Sequence, residues 1–207
     1  MSKTRVAMNL LWCVPGVGGS EEYLVRQLLG LAEIEHPYEI EVFAPLGFSQ
    51  RQPTIASLYS VHEASNDCSQ RARRILLEHT WLARKTRSFA LVHHGGGTVP
   101  RRGNKSTVLT IHDIQWIDYP HYVSPVKLRY LRRVVPSSVR RATRVVVPSR
   151  FVADSLTKSF ATATKKIGVV RHGLESDLSS AATDEATLRS KFHLGAGPVL
   201  VFPAITH

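Results

Sequence analysis

Short apolar and β-branched runs alternate along the chain with stretches of helical periodicity. Val6–Trp12 is apolar on both faces, as a central parallel strand requires, and is followed by a glycine turn. A helix is then predicted from about Ser20 to Glu35, with Leu24, Leu28 and Leu31 as its inward stripe. Glu39–Ala44 and Ile55–Val61 read as further strands, and Gln70–Arg87 as a helix facing inward with Ile75, Leu76, His79 and Leu82. Ala90–His93 and Val108–Ile111 are again short buried strands. A loop rich in aromatics and proline follows (Trp116, Tyr119, Pro120, Tyr122, Pro125), and then a basic helix from about Val126 to Arg141. Thr143–Val147 reads as a strand, Ser149 as the cap of the next helix, and Ile167–Arg171 as one more strand. Strands alternating with crossover helices imply a doubly wound α/β domain, a mostly parallel sheet with helices on both faces in the Rossmann-like manner.

Residues 1–173 therefore read as one domain. From 174 to 195 the chain turns Ser/Ala/Thr-rich with scattered acids, a linker with one short helix near Asp184–Phe192. Residues 196–207 read as the start of a further unit, with Pro198–Phe202 as its opening strand.

Composition supports an ordinary folded protein: 207 residues, 43% hydrophobic and 21% charged. No apolar run reaches the ~18 residues of a membrane span, and Val6–Val14 is broken by Asn9 and ends in Pro15, which favours a strand over a signal peptide. Two cysteines, Cys13 and Cys68, build neither a disulfide framework nor a zinc site by themselves. They are expected as reduced thiols in a cytoplasmic protein. The net charge of +11 is unevenly spread, since residues 127–171 hold twelve cations against one acid while residues 1–70 sum to −4. Such a field attracts nucleic acid, an anionic membrane face or a phosphorylated substrate, and does not choose among them.

In an open parallel sheet, ligands collect at the carboxyl ends of the strands. Four loops fall there: Pro15–Ser20, His93–Pro100, His112–Tyr122 and His172–Glu175. In the first, Gly18, Gly19 and Ser20 lead into a helix N-terminus, where backbone amides and the macrodipole favour an anion. Glu21 stands where a dinucleotide fingerprint needs its third glycine, and no P-loop lysine follows. Glu21 and Glu22 oppose an anion electrostatically, so affinity in the isolated domain is expected to be poor. His93-His94 is a poor metal pair, because adjacent strand residues point apart and no acid or cysteine lies close in sequence; Gly95-Gly96-Gly97 suits a backbone hugging a cleft. His112-Asp113 sets a switchable imidazole beside a carboxylate at a strand end. His172-Gly173 repeats that placement, where a plain turn leaving the sheet is the competing reading.

Four segments in order resemble a known family: Pro15-Gly-Val-Gly-Gly-Ser-Glu-Glu-Tyr23, Leu109-Thr-Ile-His-Asp-Ile-Gln115 followed by Tyr119-Pro-His-Tyr122, Arg144-Val-Val-Val-Pro-Ser-Arg-Phe151, and Ile167-Gly-Val-Val-Arg-His-Gly-Leu174. They are similar to the N-terminal half of a GT-B glycosyltransferase of the large retaining family usually numbered four (glycosyltransferase group 1). Val199-Leu-Val-Phe-Pro-Ala204 is similar to the opening strand of that family's second domain.

The resemblance implies transfer of a sugar from a nucleotide-diphosphate donor to an acceptor hydroxyl with retention and without a metal or other cofactor. This half would hold a sugar or lipid-linked acceptor, with His112 near the transferred sugar and Asp113 beside it. Gly18, Gly19 and Ser20, with His172 and Gly173, would lie on the donor side. The family's basic pair and Glu-x7-Glu motif would fall beyond His207, so the chain is expected to be truncated before the donor-binding domain, or to receive it from another chain, and to be inactive alone. The basic segment 127–171 would serve an anionic membrane surface at the inner face or a phosphorylated acceptor. Two readings from other classes stand beside this one. A nucleotide- or phosphate-binding protein without transferase activity would need no partner domain. A nucleic-acid-binding module would use Lys127, Arg129, Arg132, Arg133, Arg140 and Arg141, and would lose affinity steeply with salt, yet no glycine-turned helix pair or stacking platform accompanies that helix.

Overall fold

The computed structural model describes residues 3–15, 18–160, 164–173 and 183–201, with 18–20 and 164 described by their backbone alone. The chain divides into two compact units, Met1–His172 and Gly173–His207.

Among the described residues the first unit holds seven strands: β1 Thr4–Asn9, β2 Tyr38–Ala44, β3 Ser60–Glu63, β4 Leu91–His94, β5 Thr107–Thr110, β6 Arg144–Val147 and β7 Ile167–Val169. All pair in parallel, in the order β3-β2-β1-β4-β5-β6-β7. The chain builds outward from β1 to β3, returns to place β4 on the other side of β1, and continues outward to β7. The order reverses between β1 and β4, and a crevice opens there at the carboxyl ends.

The helices cover both faces as the alternation predicts. One face of the first strands packs on α1 (Gly18–Ala32), α2 (Phe48–Arg51) and α3 (Pro53–Leu58), where Leu24, Leu28, Phe48 and Ile55 are fully buried with Met8, Leu10 and Val42. Each such leucine contributes roughly 1.5–3 kcal/mol by leaving water. On the other face Ala7, Phe43, Phe89 and Val92 pack with Leu82. Beyond β4, α7 (Pro125–Arg141) and α8 (Arg150–Phe160) bury Val135, Val139, Val152 and Leu156 against Leu109, Val145 and Val147. Ser149 caps α8 as expected, its hydroxyl accepting the Val152 N–H at 3.2 Å.

Several expectations are corrected. The strand predicted over Val6–Trp12 ends at Asn9, whose side-chain oxygen accepts the Leu11 N–H at 3.1 Å and turns the chain. Ile55–Val61 is not one strand. Pro53 sits at the first position of α3, where its missing N–H costs nothing, and pairing starts only at Ser60. The helix predicted over Gln70–Arg87 is observed as α4 (Arg71–Leu77), a π-helical turn (Glu78–Leu82) and α5 (Ala83–Lys85). That widened turn shifts the face, leaving Leu76 exposed and burying Glu78 beside Leu82.

In the second unit, α9 (Glu185–Phe192) is capped by Asp184, which accepts the Thr187 N–H at 2.9 Å. Residues 198–201 form no strand, and Val199, Leu200 and Val201 are exposed; a strand exists only by pairing, and no described residue pairs with these. Phe202 lies outside the described residues.

Candidate functional site

At the carboxyl ends of β4 and β5 lies a cleft of about 300 Å³, floored by Gly95, Gly96 and Gly97 and walled by Trp12, Ile111, His112, Trp116 and Leu131, with Asp113 and Lys127 also on its lining. Close packing of backbone on ring builds this floor. A Cβ on Gly96 would fall 2.5 Å from Trp12 Cδ1, and one on Gly95 would fall 2.2 Å from Leu24 Cδ1. Gly97 has φ +76°, a left-handed conformation that suits glycine. Gly95 and Gly96 therefore let the loop after β4 lie against α1 and the Trp12 turn, and Gly97 supplies its left-handed bend.

His112 follows β5 and is half-buried. It shares a hydrogen bond with the Gly95 backbone, donating to the carbonyl, while its Nε2 is buried without a partner. Burial, then the nearby His172 ring, pushes its pKa down, and the Gly95 bond and the Asp113 charge only partly offset this. The imidazole is therefore neutral at pH 7, and its Nε2 keeps a lone pair that no described group uses. Trp12 Nε1, an obligatory donor, is likewise buried without a partner, and the two ring centroids are 6.3 Å apart. Among the described residues only Thr107 Oγ1 and Arg141 Nε share that condition, and neither lines the cleft. A buried donor and a buried acceptor, each unsatisfied, cost about 1–3 kcal/mol apiece until something fills them.

Tyr23 of α1 holds the histidines in place. Its ring meets His112 edge-on at 5.0 Å and His172 edge-on at 4.6 Å, and the two imidazoles stack at 6.3 Å. Sequence reasoning thus placed His112 and His172 at strand ends but missed Tyr23 and Trp12; both are apolar-pattern residues, and nothing in periodicity separates such a wall from core. Asp113 does not pair with His112. It is exposed, and its Oδ1 accepts the Gln115 N–H at 3.1 Å to open α6 (Gln115–Asp118), so it reaches His112 only through its field.

Gly18 and Gly19 form the first turn of α1 with Ser20, whose amides lack intrahelical partners, while Gly16 and Val17 lie outside the described residues. Gly173 belongs to the second unit, and a Cβ there would meet nothing within 4 Å. His93 and His94 diverge as expected. His93 Nε2 lies 2.7 Å from Thr110 Oγ1, and His94 Nδ1 lies 3.1 Å from Asn9 Nδ2. Among the described residues no group of three or more His, Cys, Asp or Glu could hold a metal ion, and no helix is long and apolar enough to cross a membrane.

A doubly wound sheet with its cleft at the reversal point, walled by the loops after β1, β4 and β5, is the architecture of a GT-B Rossmann-like domain. The sequence profile of Glycosyltransferase Family 4 matches residues 17–178, and the chain belongs to that family. Among solved structures, HepE of Anabaena, in complex with UDP and glucose, is similar with a TM-score of 0.57 at 16% identity, over 92% of this chain and 50% of that one. A glycosyltransferase from Rickettsia africae is similar with a TM-score of 0.51 at 14% identity, over 95% of this chain and 51% of that one. The chain spans about half the length of these structures. No curated protein sequence matches it.

Proposed function

We propose that this chain is the acceptor-side half of a retaining glycosyltransferase, which works with a donor-binding half to move a sugar from a nucleotide diphosphate to an acceptor hydroxyl. The observation that carries the reading is the pair of orphan atoms on two residues that line the cleft, Trp12 and His112. A hydroxyl is both donor and acceptor, so one sugar hydroxyl can give its proton to His112 Nε2 while a sugar oxygen accepts from Trp12 Nε1. Family membership and the neighbour that binds UDP and glucose support a nucleotide sugar as the partner. In this reading the amides at the start of α1, Gly18 to Ser20, face the diphosphate and His172 flanks it, with no metal required.

The acceptor's environment follows from α7. Val126 is 83% exposed, and Tyr119 and Tyr122, exposed and stacked at 5.9 Å, precede it, with Lys127, Arg129, Arg132 and Arg133 along the same helix. Apolar residues beside cations suit an anionic membrane surface, where each cation near the surface contributes about 1 kcal/mol. Sedimentation with anionic vesicles should exceed that with neutral ones at low salt; equal partition would remove this part of the reading.

The main test uses the fluorescence of Trp12 in the 207-residue chain, with Trp12→Phe as the control for Trp81 and Trp116. Millimolar nucleotide sugar or a simple glycoside should give a saturable change that Trp12→Phe abolishes. His112→Ala should weaken the response roughly tenfold, the value of one hydrogen bond. A flat response to both ligand classes would overturn the reading.

A further inference from the structure

Asn9 and His94 are register partners at the carboxyl ends of β1 and β4, the two strands where the sheet order reverses. Asn9 Nδ2 lies 3.1 Å from His94 Nδ1 and 3.3 Å from Glu78 Oε1, and Asn9 Oδ1 accepts the Leu11 N–H. The three side chains are 1%, 4% and 5% exposed. An amide nitrogen carries two protons, and here each finds one acceptor, so the His94 proton sits on Nε2. Glu78 reaches this position through the π-helical turn that sequence periodicity did not predict.

Each arm of this arrangement leads to one wall of the cleft. The Leu11 bond fixes the turn that carries Trp12. His94 is followed by Gly95, which holds His112, and by Gly96, which packs on Trp12. We propose that Glu78 is a positioning residue of the cleft, which through Asn9 ties the ends of β1 and β4 together and so sets the Trp12 ring beside His112. A buried carboxylate held by a single neutral amide is costly, and packing alone would favour an apolar residue. Arg74 on α4, Tyr130 from α7 and Cys68 from the loop before α4 feel the Glu78 charge, and His94 from β4 and Arg102 line the same small hollow. Burial lifts the Glu78 carboxyl to about 7, with Arg74 and Asn9 opposing, so the tie changes charge near neutrality. Relevance to sugar binding rests on the function proposed above; the tie itself is measurable without a ligand.

The experiment is an NMR titration of the full chain between pH 5 and 9, following the Trp12 indole N–H, the amides of Leu11 and Gly95–Gly97, and the Glu78 side-chain carboxyl carbon. These signals should share one transition with a midpoint near 7. Glu78→Gln keeps an oxygen for Asn9 but cannot titrate, and should abolish the shared transition while the His112 transition, below the usual histidine range, persists. Asn9→Ala should leave the Glu78 carboxyl titrating but silence Trp12 and Gly95–Gly97. Should either variant fail to fold, the wild-type comparison decides. Trp12 and glycine signals that stay flat while the Glu78 carbon titrates, or a transition that survives Glu78→Gln, overturns the proposal. A transition seen in a protein whose Trp12 ignores nucleotide sugars and glycosides would sink the proposed function and leave the tie standing.

Discussion

The two ends of β1 treat charge in opposite ways. At the amino end Arg5 gives Glu41 two hydrogen bonds, at 3.0 and 2.6 Å, and His62 Nε2 lies 2.7 Å from the other oxygen. The Arg5 guanidinium also covers the Phe89 ring at 4.1 Å. Burial alone would raise the Glu41 pKa, but those bonds outweigh it and hold the carboxyl below its ordinary range. At the carboxyl end, four residues on, Asn9 meets a carboxyl lifted by burial, and the neighbouring turn presents an unpartnered indole N–H. Volume does not mark the site: the larger hollow, about 970 Å³, lies at the amino edge among Leu31, Tyr38, Glu39 and Tyr59. There the Tyr59 hydroxyl donates to the Leu28 carbonyl at 2.6 Å, and among the described residues no buried polar atom left without a partner lines it. Unsatisfied buried polarity, more than empty space, locates chemistry here.

The sharpest break of this comparison is the pH dependence of stability. Glu78 has a folded pKa of about 7 against an ordinary 4.5. Its contribution is fully present below pH 4.5 and is lost as pH rises through 7, a loss on the order of 3 kcal/mol by pH 8 to 9. Glu78→Gln should therefore gain stability relative to wild type with rising pH, as read by urea unfolding at pH 5.5 and 8.5. A constant difference between the two proteins would mean that Glu78 is not buried as described. His93 and His94, held neutral with pKa values of about 4 and 3 by burial, act on the other side. Their stability is present above 6.5 and is lost as pH falls, so the carboxyl end of the sheet limits the molecule in both directions.

Gly96→Ala sharpens the contrast from the packing side. The added methyl would lie 2.5 Å from Trp12 Cδ1 and 2.8 Å from Cγ, and a rigid indole cannot yield as a flexible chain end would. The expected cost is roughly 1–3 kcal/mol in denaturant unfolding, accompanied by a changed Trp12 emission. Gly173→Ala, where a Cβ meets nothing, should change neither.

The contrast between the two ends was only half legible in the sequence. Continuous apolar and β-branched runs and glycine turns placed most of the strands, their order along the chain and the loops at their carboxyl ends, because burial on both faces leaves a local signature. His112 and His172 stood out by chemistry at those ends. Tyr23 and Trp12 did not, since a wall of a cleft and a wall of the core bury the same side chains. Glu78 was hidden for another reason: a π-helical turn inserts its residue without any local signal, so α-helical spacing put Leu76 on the inward stripe and passed over Glu78. Ile55–Val61 misled because β-branched content outweighed Pro53, whose place at a helix start was the better guide.

The smallest expected effect concerns Glu41, and it tests whether the amino end is as self-contained as it looks. A depressed folded pKa has the opposite consequence to that of Glu78. The stability from Glu41 is present above its ordinary value of 4.5 and is lost as pH falls through the lower folded pKa. Arg5 is 42% exposed, so water screens its half of the pair, and Glu41→Gln should cost only about 1 kcal/mol at pH 7. The acid limb is shared with His93 and His94, so the variant should unfold closer to wild type as pH falls from 5 to 3 without matching an acid-resistant protein. Trp12 emission and the His112 resonances should be unmoved at every pH, because β1 carries no polar chain between Glu41 and the cleft. A cleft signal that follows Glu41 would show that the two ends of the strand are coupled, and the division between a satisfied end and a ligand-seeking end would fail.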